Sequence, residues 1–145
     1  MQLTIFTDYG LRSLMYVAAH PERLCSVKEI AEHYGISRNH LVKVVHRLSQ
    51  LGYIKSTKGK GGGVTLAHAP ETLRLGDLVR QLEPNMNLVE CFDKNTNTCR
   101  ITSGCDLKHY LMEANNAFIA ALNKYSLSDA IRNKALFATI VPPKS

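Results

Sequence analysis

The sequence predicts a mainly α fold with a small β-hairpin wing: a winged helix-turn-helix domain followed by a long C-terminal dimerisation helix. Three observations carry this expectation. Two short capped helices meet through Gly35-Ile36-Ser37, and the second is polar and basic on its outer face. A turn rich in glycine and lysine, Lys58-Gly59-Lys60-Gly61-Gly62-Gly63, separates two short stretches of β-forming residues. From Cys105 to Lys124, apolar residues recur at alternating steps of three and four.

Taken in order, Thr7 reads as the cap of a helix over 8–19, with Leu11, Leu14, Met15 and Ala18 on one face. His20-Pro21-Glu22 breaks it. Ser26 and Glu29 form a capping box, and the helix they open ends at Gly35. Ser37 caps the next helix, which buries Leu41, Val44, Val45, Leu48 and Leu51. Its other face shows Arg38, Asn39, His40, Lys43, Arg47 and Gln50. Strands are expected over 53–56 and 64–67. The glycine run between them lacks the Gly-Lys-Ser/Thr ending of a nucleotide loop and reads as a wing tip. A short helix covers 75–82. Residues 85–104 show no period, and a loop of that length is usually functional or disordered.

The seam of the last long helix runs through Leu107, Leu111, Ala114, Phe118 and Ala121 or Leu122. Such a helix spans about 30 Å, more than a small domain needs to cover it. A two-fold dimer is therefore preferred over a helix folded back on its own domain. A short helix over 126–133 and a loose Pro142-Pro143 tail complete the chain. The expected division is a winged domain over 1–83, a cysteine loop over 84–104, the dimerisation helix over 105–125, and a short helix and tail over 126–145.

The 145 residues carry a net charge of +6, unevenly placed. Residues 1–70 hold nine Lys/Arg against four acids, and the remainder nine against eight. A basic front half carrying a helix-turn-helix and a wing points to double-stranded DNA with a palindromic operator. The helix from Ser37 to Gln50 would enter a major groove. Asn39, His40 and Lys43 are candidates for base edges, and Arg38 and Arg47 for phosphates. Lys58 and Lys60 on the wing would reach phosphates or the adjacent minor groove. No apolar run is long enough to span a bilayer and no signal-peptide profile is present, so no membrane role and a cytoplasmic location are expected.

In a reducing compartment, clustered cysteines are metal ligands or redox groups before they are disulfides. Cys91, Cys99 and Cys105 are separated by seven and five residues, without the close pairs common in structural zinc sites. Iron–sulfur clusters tolerate irregular spacing, because their corners lie several ångströms apart. A cluster is the first choice; zinc and redox-active thiols remain open. Cys25 lies apart among apolar residues and reads as core. Enzymatic use of the cysteines would need a positioned base, and no histidine lies nearer than His109.

Several stretches together resemble the Rrf2 family of dimeric winged-helix bacterial repressors that hold iron–sulfur clusters. These are the opening Gln2-Leu3-Thr4-x-Phe6-Thr7-Asp8-Tyr9-Gly10-Leu11-Arg12, the segment Gly35 to Lys43, the wing tip and the three cysteines. The likeness runs from Met1 to about Leu136 and is greatest to the branch that senses nitric oxide.

There are two departures from the family pattern. The gap between the first two cysteines is longer than usual. Branches that regulate cluster assembly place a histidine ligand where this chain has Lys108, with His109 one step further on. The nitric-oxide branch implies another fourth ligand: Asp8, donated across the dimer to a 4Fe–4S cluster in preference to 2Fe–2S. His109, Glu90 and Asp93 are the reserve ligands. The resemblance thus implies a repressor that releases DNA when nitric oxide attacks its cluster. A thiol-based redox repressor and a cluster-assembly regulator are the alternatives.

Overall fold

Thr4, rather than Thr7, caps the first helix of the computed structural model, which describes residues 1–138. Its hydroxyl accepts from the Thr7 N–H at 3.2 Å, so α1 runs Ile5–Ala19 and starts three residues earlier than expected. The reason is tertiary: Glu83, 79 residues away, accepts the Thr4 N–H at 2.7 Å and fixes the chain entering the helix. Thr7 is instead fully buried. At the other end His20 closes the helix, as its place before Pro21 requires.

Helix α2 (Val27–Tyr34) opens with the expected capping box of Ser26 and Glu29. It ends at Gly35, whose φ of +66° is the left-handed conformation that glycine adopts without Cβ strain. Ser37 caps α3 (Arg38–Gln50) by accepting from the His40 N–H. These helices enclose Leu14, Tyr16, Val17, Ile30, Leu41, Val44 and Leu48, the centre of one apolar core.

The wing is an antiparallel hairpin of β1 (Ile54–Thr57) and β2 (Gly63–Leu66), with Ile54 opposite Leu66 and Thr57 opposite Gly63. Both strands sit one residue from the expected positions. The Tyr53 N–H bonds the Leu48 carbonyl to finish α3, which delays the first strand. Cys25 exchanges both backbone hydrogen bonds with Val64, at 3.0 and 2.8 Å, and so staples the chain before α2 to the wing. The Cys25 thiol is fully buried, which pushes its pKa up to about 11. That places it in the core, as its apolar neighbours suggest.

Helix α4 (Leu75–Leu82) follows a short 3₁₀ turn at Pro70–Thr72, and α5 (Asp106–Leu122) crosses it. The two approach closely at Gly76, where a Cβ would lie 2.5 Å from the Ile119 carbonyl oxygen and would also strike the Asn123 side chain. Asn123 also accepts from the Asp77 N–H and donates to its carboxylate.

Helix α5 therefore has two faces. Asn115 and Ile119 are buried against the rest of the chain, with Leu111, Phe118 and Leu122 half-buried beside them. On another side Leu107 and Tyr110 are 61% and 64% exposed, and Ala114, Ala117 and Ala121 continue that stripe in the open. The expected single seam is thus divided, with Leu111 and Phe118 turned toward their own domain. Helix α6 (Leu127–Ala130) is shorter than the 126–133 expected, although Ser126 and Asp129 make a full capping box. The chain turns back instead, through Lys134–Phe137, to bury Phe137 in the core beside the His33 ring. The Pro142-Pro143 tail lies outside the described residues. Among those described, no helix is long and apolar enough to cross a membrane.

Candidate nucleic-acid interface and cysteine loop

The outer face of α3 exposes Ser37, Arg38, Asn39, Lys43 and Arg47, all anticipated from the sequence. His40 is only half-exposed, because its ring packs edge-on against Tyr9 of α1 with centroids 5.1 Å apart. That contact ties the leading turn of α3 to α1. Two residues were missed: Val42, 48% exposed, and His46 stand on the same face. Val42 lies three residues after Asn39 and His46 three after Lys43, the spacing that puts them on that face. Lys55, Lys58 and Lys60 are exposed on the wing, where Gly59 and Gly61 take positive φ to form the tip. The result is a cationic surface built from a helix and a hairpin, the shape and charge suited to a DNA groove and its phosphates.

All four cysteines are free thiols, and the three in the loop are half-exposed. Cys91 lies in a 3₁₀ turn (Glu90–Phe92), Cys99 in the irregular stretch that follows, and Cys105 at the residue just before α5. The enlarged gap between the first two is internally bonded. The Glu90 carboxylate accepts from the Thr98 hydroxyl at 3.0 Å and from its N–H at 3.3 Å. Asp93 accepts from the Asn95 N–H at 2.9 Å. Asn97 receives the Cys99 N–H and donates to Thr102, whose hydroxyl donates to the Cys99 carbonyl. Glu90 and Asp93, reserve ligands by sequence, thus hold the loop's own shape. At its root, buried Asn115 of α5 donates to the Met86 carbonyl at 2.8 Å.

Among the described residues, no three His, Cys, Asp or Glu side chains converge on a point where one metal ion would sit. A zinc ion needs its ligands about 2.0–2.3 Å from one centre, and the described residues present no such preformed group. Cys91, Cys99 and Cys105 thus stand as three separate free thiols along one loop. Asp8 lies in the first turn of α1, away from the loop in sequence, with its side chain 47% exposed. Arg12 binds both of its oxygens, at 3.0 and 2.7 Å. His109 stands exposed in the first turns of α5.

Fold and surface define a winged-helix regulator of transcription with a cysteine-bearing loop ahead of its long helix. The family described as Rrf2, iron-dependent transcriptional regulator, matches residues 3–133, and the chain belongs to it. It is 50% identical over 135 residues to the HTH-type transcriptional regulator NsrR of Bacillus subtilis (strain 168), covering 92% of each chain. The NsrR of Halalkalibacterium halodurans is 48% identical over 135 residues, again covering 92% of each. The solved structure of CymR, the global cysteine regulator of B. subtilis, aligns with a TM-score of 0.73 at 25% identity, over 90% of this chain and 95% of that one. T. potens IscR shows the same fold, with a TM-score of 0.72 at 23% identity over 92% and 88% of the two chains. The chain is therefore a DNA-binding transcriptional regulator of an iron-dependent family, and not an enzyme.

Proposed function

We propose that the chain is a homodimeric repressor that senses nitric oxide through an iron–sulfur cluster, 4Fe–4S in preference to 2Fe–2S. Cys91, Cys99 and Cys105 would hold it, with Asp8 of the partner subunit as the fourth ligand. The observation that carries the reading is the set of three free, half-exposed thiols on one internally bonded loop. Near-50% identity to NsrR proteins over almost the whole chain supports it. When bound, the cluster supplies irons that nitric oxide attacks.

The chain's own residues then act as follows. The cysteine loop is rooted on α5 through Asn115 and Met86, so its position follows that helix. The stripe of Leu107, Tyr110, Ala114, Ala117 and Ala121 is the proposed dimer seam, its small residues permitting close approach. Asp8 has two competing partners: Arg12 of its own helix, or the group held by the other subunit's cysteines. Without that group Asp8 would pair with Arg12 alone and the subunits' reading heads would no longer be tied, which would lower affinity for a palindromic operator. On the DNA, Asn39 and Lys43 meet base edges, while Arg38, Arg47, Lys58 and Lys60 meet phosphates. Ser37 and His40 fix the leading turn of the reading helix.

Anaerobic purification tests the reading. The expected protein is brown, contains iron and sulfide, bleaches on addition of nitric oxide and then releases its operator. A colourless, zinc-loaded protein whose DNA binding ignores the gas would overturn it. Reversible disulfides without iron or sulfide would mark a thiol-based redox repressor instead.

A further inference from the structure

A cleft of about 560 Å³ lies between the C-terminal end of α1, the wing and the C-terminal segment. Its volume falls in the range of small-molecule sites. The lining is divided by chemistry. Val17, Ala18, Leu66 and Ile131 supply an apolar floor. Three of these four belong to the buried core, so the floor is a rigid part of the fold. Around it stand His20, His68, Arg132 and Lys134, against the single acid Glu71.

The ring nitrogen Nδ1 of His20 lies 2.8 Å from the Tyr16 carbonyl, which can only accept. That nitrogen therefore donates and the ring is held in place, while Nε2 is an acceptor, so the groups that can donate to an anion at this rim are Arg132 and Lys134. Arg132 spends one terminal nitrogen on Asp129, at 2.7 Å, and its side chain is 80% exposed.

We propose that this cleft binds a small organic monocarboxylate with a compact apolar body. The body would replace water over the apolar floor, and the carboxylate would take the cationic rim. Apolar floor and basic rim together exclude two other classes. A polyphosphate would leave the floor wet, and a cation would meet the fixed charges of Arg132 and Lys134 at the rim. The position also gives binding a consequence. Leu66 belongs to β2, the strand whose other end leads to Lys60 at the wing tip. An occupant would brace the wing against the segment carrying Ile131 and Lys134. The inference is independent of the cluster, because none of the loop cysteines lines the cleft.

The test is methyl-detected NMR on the full chain, with benzoate as probe and benzyl alcohol as its neutral counterpart. Benzoate should shift the methyls of Val17, Leu66 and Ile131 saturably, at one site per chain. The double variant Arg132→Glu, Lys134→Glu should weaken that binding roughly fivefold or more. Both residues are solvent-exposed, so the variant should fold, and an unchanged spectrum elsewhere would verify it. Equal binding of benzyl alcohol, binding unaffected by the double variant, or no shift at these methyls at millimolar probe would each overturn the proposal.

Discussion

Arg12 holds Asp8 by both carboxylate oxygens, and the same guanidinium lies 5.6 Å above the Tyr9 ring and 5.9 Å above the Tyr34 ring. Tyr34 donates its hydroxyl to the Arg12 carbonyl at 2.7 Å, and Tyr9 meets His40 of the reading helix. A chain of contacts thus runs from the first turn of α1 to the first turn of α3. A change of partner at Asp8 moves a charge that touches two rings of this chain. This is a contact route from the proposed ligand to the outer face of α3; the structure holds Asp8 on Arg12, and the proposed function would add a second state off it.

The first prediction separates the candidate fourth ligands. Asp8→Ala should leave folding almost untouched. An i,i+4 pair with both side chains 40% or more exposed is worth about 0.3–0.5 kcal/mol. The same variant should lose iron and visible absorbance during anaerobic gel filtration, whereas His109→Ala retains both. The opposite result would assign the fourth corner to His109. Tyr9→Ala, with Asp8 intact, should keep the iron yet weaken operator binding, because His40 loses its support.

The second prediction concerns pH and the base of the wing. Glu29 is gripped by Arg23 at 2.9 Å through each oxygen, receives the Tyr16 hydroxyl at 3.2 Å and caps the Ser26 N–H at 2.6 Å. Burial opposes its ionisation, but the hydrogen bonds from Arg23 and Ser26 outweigh burial and hold its pKa below the ordinary 4.5. The sign follows from proton binding: the unfolded chain takes up this proton at a higher pH than the folded one. The stabilisation is therefore complete above about pH 4.5 and drains away as pH falls through the lowered value. Glu29→Gln keeps a capping-box residue and removes the charge. It should cost about 1 kcal/mol at neutral pH, and the gap from the parent should close in urea titrations below pH 4.

What the sequence made legible follows from how local each cause is. Ser26–Glu29, Gly35, Ser37 and the wing glycines act within a few residues, and the elements they define lie within one residue of where expected. Thr4 was missed because its anchor, Glu83, is 79 residues distant. The extent of α6 was missed because Phe137 turns the chain back into a core formed by α1 to α3. The three cysteines were legible as a donor set. The internal bonding of their loop by Glu90, Asp93, Asn97 and Thr102 was not, since polar residues without a period say nothing of which partner each finds. Val42 was passed over because the outer face of α3 was read from its polar and basic residues alone, and an apolar residue there carries no charge signal.

The third prediction tests the seat of α5. Gly76→Ala would push a methyl group into the Ile119 carbonyl and the Asn123 side chain. A backbone carbonyl cannot rotate aside, so the helices must separate. The loss should be about 2 kcal/mol, visible as a lower midpoint in thermal unfolding. Gly104→Ala, where an added Cβ meets nothing within 4 Å, should be close to neutral. Because Asn115 roots the cysteine loop one turn before Ile119, Gly76→Ala should also raise hydrogen exchange at Met86 to Leu88. Equal stability of the two variants would show that α5 is held by other contacts.

The fourth prediction reads the DNA-facing surface residue by residue. Lys43 and Asn39 stand beside exposed Val42 in the middle of the α3 face, while Arg47 lies a turn further along it. A residue on a base edge and one on a phosphate fail differently. Asn39→Ala or Lys43→Ala should cost about 1–3 kcal/mol on the operator and flatten preference at one base pair. Arg47→Ala should weaken operator and random DNA alike, and lower the salt slope of log K by about one. Val42 has no polar group to offer. Its part would be contact with a thymine methyl, so Val42→Ala should lose discrimination between thymine and uracil at one position. Fluorescence anisotropy across a salt series, with uracil-substituted operators, measures all three effects. A salt-slope change at Lys43 without loss of base preference would move that residue from the base edge to the phosphate backbone.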